Sequence, residues 1–230
     1  MTKPHGRQTK KKVTQILCGS QRTEAFALLE RIPEEQLIGP LFSHFYAMDE
    51  LIKFRSIMAM GELALRLSVK QMEKARILMR RIMWNLNDES GGIGWGSPEA
   101  MGQILYTSPA LAMEFKSILF SYLDPRGNFL EHELLQRGVL WGIGTYLKAF
   151  SRDLDDITEG LIFAHLHSLD PVKRGYAIRA LINADRFNPK RVPEHILTDS
   201  EQINIFIDWN FVTTRICDMT RVNTDRLAIP

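Results

Sequence analysis

Trp84-Asn85-Leu86-Asn87-Asp88-Glu89-Ser90-Gly91-Gly92-Ile93-Gly94-Trp95-Gly96-Ser97-Pro98-Glu99 is the most unusual segment of this chain, with four glycines within six positions. Their order does not fit the G-x-G-x-x-G dinucleotide turn, and a helical pattern rather than a strand precedes them. Ser97 can cap a following helix and Pro98 can occupy its first turn, which would expose N–H groups to an anion. Asp88, Glu89 and Glu99 would repel that anion, so electrostatics favour a cationic ligand or a basic group on a protein. Trp84 and Trp95 could offer ring faces to such a cation, each contact contributing about 0.5–2 kcal/mol. The plain alternative is that both tryptophans anchor a core and the glycines shape a connection. Loops this long more often carry function, which makes Trp84, Asp88, Glu89, Trp95 and Glu99 the candidate ligand- or partner-binding residues.

A second set is basic. Lys53, Arg55, Arg66, Lys70, Lys74, Arg76, Arg80 and Arg81 fall close together in sequence. If Lys53, Arg55, Arg76, Arg80 and Arg81 share one face they could contact phosphates; otherwise they form a solvated outer surface. Other combinations carry less. Glu131-His132-Glu133-Leu134-Leu135-Gln136 lacks the second histidine of a zincin helix, so no metal site is expected. His165 and His167 are two apart and face different ways on a helix. Asp153, Asp155, Asp156 and Glu159 sit where a helix start would use them against its dipole. Cys18 and Cys217 have no CxxC partner, which argues against a disulfide framework and for a reducing, cytoplasmic setting. No catalytic triad, cofactor motif or membrane span is legible, and a conventional enzyme is not expected.

Those residues must be positioned by a packed fold. The chain has 230 residues, 45% hydrophobic and 24% charged, as ordinary globular proteins do. Its net charge is +2, yet the first twelve residues carry +5 without an acid, so residues 13–230 are three units negative. That distribution predicts a basic, flexible arm over residues 1–12 and a single domain over 13–230. It also predicts only weak, salt-sensitive contact with nucleic acid.

Periodicity supplies the elements. Ala59-Met60-Gly61, Ala100-Met101-Gly102 and Leu140-Trp141-Gly142 place glycines 41 and 40 positions apart, and a further 40 reaches Ile182. Acidic turns precede each: Asp49, Asp88, Asp124-Pro125 and Asp170-Pro171. Apolar residues between them recur at helical spacing, as at Ile77, Leu78, Ile82 and Leu86. No run alternates strictly with period two, so strands are not expected. A closing helix is expected over 201–220, and atypical capping helices at both ends.

Leu166 through Leu181, with Leu-Asp-Pro-Val-Lys-Arg followed by Ala-Ile-Arg-Ala-Leu, resembles a HEAT repeat of the phycobilisome-lyase type. Leu41 through Leu63 is similar, with Asp49, Ile52-Lys53 and Ala59-Met60-Gly61 at the matching places. Residues 38–185 carry the resemblance. Trp84 through Gly102 also resembles an uncharacterised HEAT-like family of anaerobic and sulfate-reducing bacteria. The resemblance implies an all-α fold, a right-handed α-solenoid or α-α superhelix of the armadillo-like kind, working as a binding or scaffold protein for a protein or peptide partner. The rival is a nucleic-acid-binding protein resembling HEAT-like alkylpurine DNA glycosylases, whose catalytic residues find no match here. No motif fixes an oligomeric state.

Overall fold

The computed structural model describes residues 5–87 and 94–221. Among them the chain is mostly helical. In order come α1 (His5–Gly19), α2 (Arg22–Glu30), α3 (Glu34–His44), α4 (Glu50–Lys70), α5 (Met72–Asn87), α6 (Ser97–Thr107), α7 (Pro109–Ser121) and α8 (Glu133–Leu147). Then follow α9 (Asp156–Ala164), α10 (Pro171–Asn183), α11 (Glu194–Leu197), β1 (Gln202–Ile207), β2 (Asn210–Arg215) and α12 (Ile216–Met219). No helix among the described residues is long and apolar enough to cross a membrane.

Helix starts follow local chemistry. Asp49 Oδ1 accepts from the Leu51 and Ile52 amides at 2.8 and 3.4 Å, and Asp170 Oδ1 accepts from Val172 at 2.9 Å ahead of Pro171. Such caps satisfy N–H groups that have no partner inside the helix. Asp124 instead accepts from the Arg126 amide at 2.9 Å within a turn, and α8 is capped by His132 Nδ1. Asp155 caps α9, Glu159 pairs with Arg191 at 2.8 Å, and Asp153 pairs with Lys116 at 2.9 Å, so these carboxylates of the 153–159 cluster have structural partners.

Four helices form one packed row: α4 against α6, α6 against α8, and α8 against α10. Gly61, Gly102, Gly142 and Ile182 fall on successive members of that row and are all buried. The spacing near 40 thus marks contacts between row neighbours. A Cβ on Gly102 would lie 2.2 Å from the Gly142 carbonyl oxygen, closer than atoms can approach, so α6 and α8 can touch backbone to backbone only with glycine there.

The two ends differ from the sequence reading. Residues 5–12, expected in a flexible arm, continue α1, which Val13, Ile16 and Leu17 anchor in the core while Arg7, Lys11 and Lys12 stay exposed. Residues 202–215, expected as part of a closing helix, form an antiparallel hairpin instead. Ile203 and Ile205 point inward between exposed Gln202 and Asn204, a period of two that a helix cannot bury on one face. The hairpin turn is Asp208-Trp209, with positive φ of 42° and 81°, the backbone that tight two-residue hairpins need. Packing holds this otherwise unfavourable conformation: Trp209 is fully buried, its indole donates to Ser20 at 2.9 Å, and its ring meets Phe26 edge-on. The hairpin therefore runs from α10, which β1 packs against, back to the α1–α2 end of the chain.

Candidate functional site

The amino ends of α4, α6, α8 and α10 converge on a cavity of about 660 Å³, closed on one side by β1 and by Phe211 of β2. That volume lies within the usual range for small-molecule sites, about 300–1,000 Å³. Phe45, Phe54, Trp95, Tyr176 and Phe211 give it aromatic walls, and Glu50, Lys53, Glu99 and Arg137 are its charged residues. Phe54 stacks on Phe206 and meets Phe211 edge-on, so α4 and the hairpin share one aromatic seam beside it.

Charge within the cavity is unevenly compensated. Lys53 pairs with Glu50 at 2.8 Å, and Arg137 pairs with Asp170 at 2.5 Å. Glu99 has no such partner: it is 7% exposed, and its Oε2 is buried without a hydrogen bond among the described residues. Gly138 makes this placement possible, because a Cβ there would stand 2.6 Å from Oε2. Burial pushes the Glu99 carboxyl above the usual range, opposed by the nearby Lys53 charge. Burial also pushes the Tyr176 hydroxyl up, and the Glu99 charge adds to that shift. The first turn of α6 offers Glu99 a favourable dipole, a contribution of about 0.3–1 kcal/mol at exposed sites. An unsatisfied buried charge costs more, upward of about 1–3 kcal/mol, so the carboxylate is left short of a partner.

Of the residues singled out in the sequence, Trp95 and Glu99 come together on this cavity, and Lys53 joins them from the basic set. Trp95 is half-buried with its ring edge-on to His132 at 5.2 Å. Gly96 precedes α6 with φ of 72°, a left-handed conformation that glycine adopts at least cost. Ser97 is therefore the first helical residue rather than the cap, and its hydroxyl is buried without a partner among the described residues. Trp84 is 73% exposed on α5 and does not line the cavity. Asp88 and Glu89 lie outside the described residues.

The basic residues do not share one open face. Arg55 is buried and donates to the carbonyls of Leu17 at 2.6 Å, Cys18 at 3.3 Å and Trp209 at 2.9 Å, and to Asn210 Oδ1 at 3.1 Å. It fastens the hairpin turn to α1. Arg76 pairs with Glu114 through two donors at 2.9 and 2.7 Å, Arg80 pairs with Glu73, and Arg81 lies over the Phe42 ring at 4.1 Å. No motif or spacing in the sequence marks Tyr176, Arg137 or the hairpin residues around the cavity as functional. The Ile203-Asn204-Ile205 alternation was the one signal that could have brought the hairpin forward.

An uncharacterized protein of Archaeoglobus fulgidus is 32% identical to this chain over 111 residues, covering 48% of this chain and 54% of that protein. The chain thus spans about half the length of that relative. No protein-family model matches the chain, and no solved structure matches it.

Proposed function

We propose that the row α4–α6–α8–α10 is the inner layer of a right-handed HEAT-like solenoid, and that this chain is a binding protein taking a basic group against Glu99. The glycine spacing and the row contacts support the first part. The single observation carrying the second is the buried Glu99 carboxylate, whose Oε2 has no partner among the described residues, in a large aromatic cavity whose other charged side chains are already paired. An amine or guanidinium, on a small ligand or on a partner protein, would supply the missing hydrogen bond and charge. Charge-assisted hydrogen bonds contribute about 1.5–3 kcal/mol, and aromatic walls add cation–π attraction. The nucleic-acid alternative has less support, because Arg55 is enclosed while Arg76 and Arg80 are already matched by glutamates.

Titration calorimetry with benzylamine and agmatine, against benzyl alcohol as a neutral counterpart, tests this reading. Wild-type protein should bind the two cations and not the alcohol. Glu99→Gln should weaken cation binding by about 10- to 100-fold, as loss of one charge-assisted contact implies. Equal affinity for the alcohol, or unchanged affinity in the variant, would reject it.

A further inference from the structure

The hairpin has a second cavity along it, toward its turn. It measures about 120 Å³ and lies between Ile205–Asp208 and the carboxyl-terminal parts of α6, α8 and α10. That is room for one tetrahedral oxyanion but not for a nucleoside as well. Basic residues outnumber acidic ones in its lining. Arg22, Lys148 and Arg179 line it, and the one carboxylate lining it, Asp208, is taken by Arg22 at 2.7 Å.

Arg179 is set for recognition rather than neutralised. Its Nη1 donates to the Trp141 carbonyl at 3.1 Å and its Nη2 to Thr145 Oγ1 at 3.0 Å, which fixes the guanidinium plane with neutral acceptors only. No carboxylate lies within ion-pairing distance of it among the described residues. Burial lowers its pKa to about 10, still charged at neutral pH. Burial also lowers the Lys148 pKa, with Arg179 and Arg22 adding to the effect, so the three cations crowd one another.

Neutral donors are also left over at this place. Gln103 is 2% exposed, lines the cavity, and its side-chain amide has no hydrogen bond among the described residues. Trp141 is another wall, 2% exposed, and its indole N–H is buried without an acceptor among the described residues. Buried polar groups almost always find partners, so the unmet indole N–H of Trp141 beside Arg179 requires an explanation. The carboxyl ends of nearby helices carry partial negative charge that opposes an anion. Arg179 and Asn183 already donate to the α8 carbonyls of Trp141 and Gly144, and the full charge of Arg179 outweighs the remainder.

We propose that this cavity is an oxyanion site for one phosphate- or sulfate-sized group, held by Arg179 with the Gln103 amide completing its hydrogen bonds. The group enters either as the free ion or as the terminal phosphoryl of a small metabolite. It is a site separate from Glu99 and does not depend on the cation reading.

Titration of the full chain with sodium phosphate, sodium sulfate, glycerol 3-phosphate and sodium acetate, at ionic strength matched with sodium chloride, distinguishes the cases. Saturable one-to-one binding of phosphate or sulfate is expected, and tighter binding of glycerol 3-phosphate would identify the metabolite as the source. Arg179→Gln should weaken binding by about tenfold or more, as loss of a charge-assisted contact implies. Because Arg179 also ties α10 to α8, Gln103→Leu is the cleaner variant. It removes an unpartnered amide at nearly constant volume, and should weaken phosphate binding by about three- to tenfold with the thermal midpoint kept. Glu99→Gln should leave phosphate affinity unchanged. No saturable binding beyond chloride, binding of acetate alone, or wild-type affinity in both Arg179→Gln and Gln103→Leu would overturn the proposal.

Discussion

Replacing Glu99 by glutamine should move stability and binding in opposite directions. The side chain is buried, its Oε2 lacks a partner, and burial holds its carboxyl above the ordinary range. An acid whose folded pKa is raised binds more protons folded than unfolded in the interval between the two pKa values. Stability therefore falls as pH rises through that interval, and the loss is complete above the folded pKa. Glutamine keeps the volume and removes the charge, so the ligand-free variant should be the more stable protein at neutral pH. Taking about 1–3 kcal/mol for an unmet buried polar group, and roughly 2–4 °C per kcal/mol for a domain of this size, the midpoint should rise by roughly 2–12 °C. Thermal unfolding of both proteins from pH 4 to pH 8 reads this directly. The gap should open as pH rises and close toward acid, where the wild-type carboxyl regains its proton. A variant less stable than wild type at neutral pH would show that Glu99 is compensated within the fold, and would remove the main support for a cation site.

Further expectations follow from neighbouring contacts. Gly138→Ala places a Cβ 2.6 Å from Glu99 Oε2, so it should displace the carboxylate and weaken benzylamine binding while leaving the net charge unchanged; calorimetry checks this. Arg55→Met leaves the Leu17 and Trp209 carbonyls without their donor and should cost about 3–5 kcal/mol, as breaking a buried network does, measured by urea unfolding. Gly102→Ala forces a methyl onto the Gly142 backbone and should destabilise by about 1–3 kcal/mol or more through overpacking, whereas Gly19→Ala, with nothing within 4 Å, should not destabilise the protein by crowding. Benzylamine affinity should fall as pH drops through the elevated Glu99 carboxyl range, because the protonated acid carries no charge to attract the amine.

Much of the scaffold was legible in one dimension. Helical period, the caps at Asp49 and Asp170, and the recurrence of Gly61, Gly102 and Gly142 depend on residues a few positions apart or on a fixed spacing, which a sequence displays. Trp95 and Glu99 stood out for the same local reason, as an aromatic and an acid around a glycine-rich turn. The hairpin is hard to read in one dimension because its alternation is short and followed by a β-branched strand, Asn210–Arg215, with little burial of its own. Arg55 illustrates the other limit. By type it belonged with Arg76 and Arg80 as a surface cation, yet its donors meet Leu17 and Trp209, 38 and 154 positions away. Sequence thus determined most of the helical segments, though not the hairpin over 202–215, and which residues carry charge. Only the tertiary structure decided which charges are matched, because burial and pairing arise when segments distant in the chain, such as Glu99 and Gly138 or Arg76 and Glu114, are packed side by side.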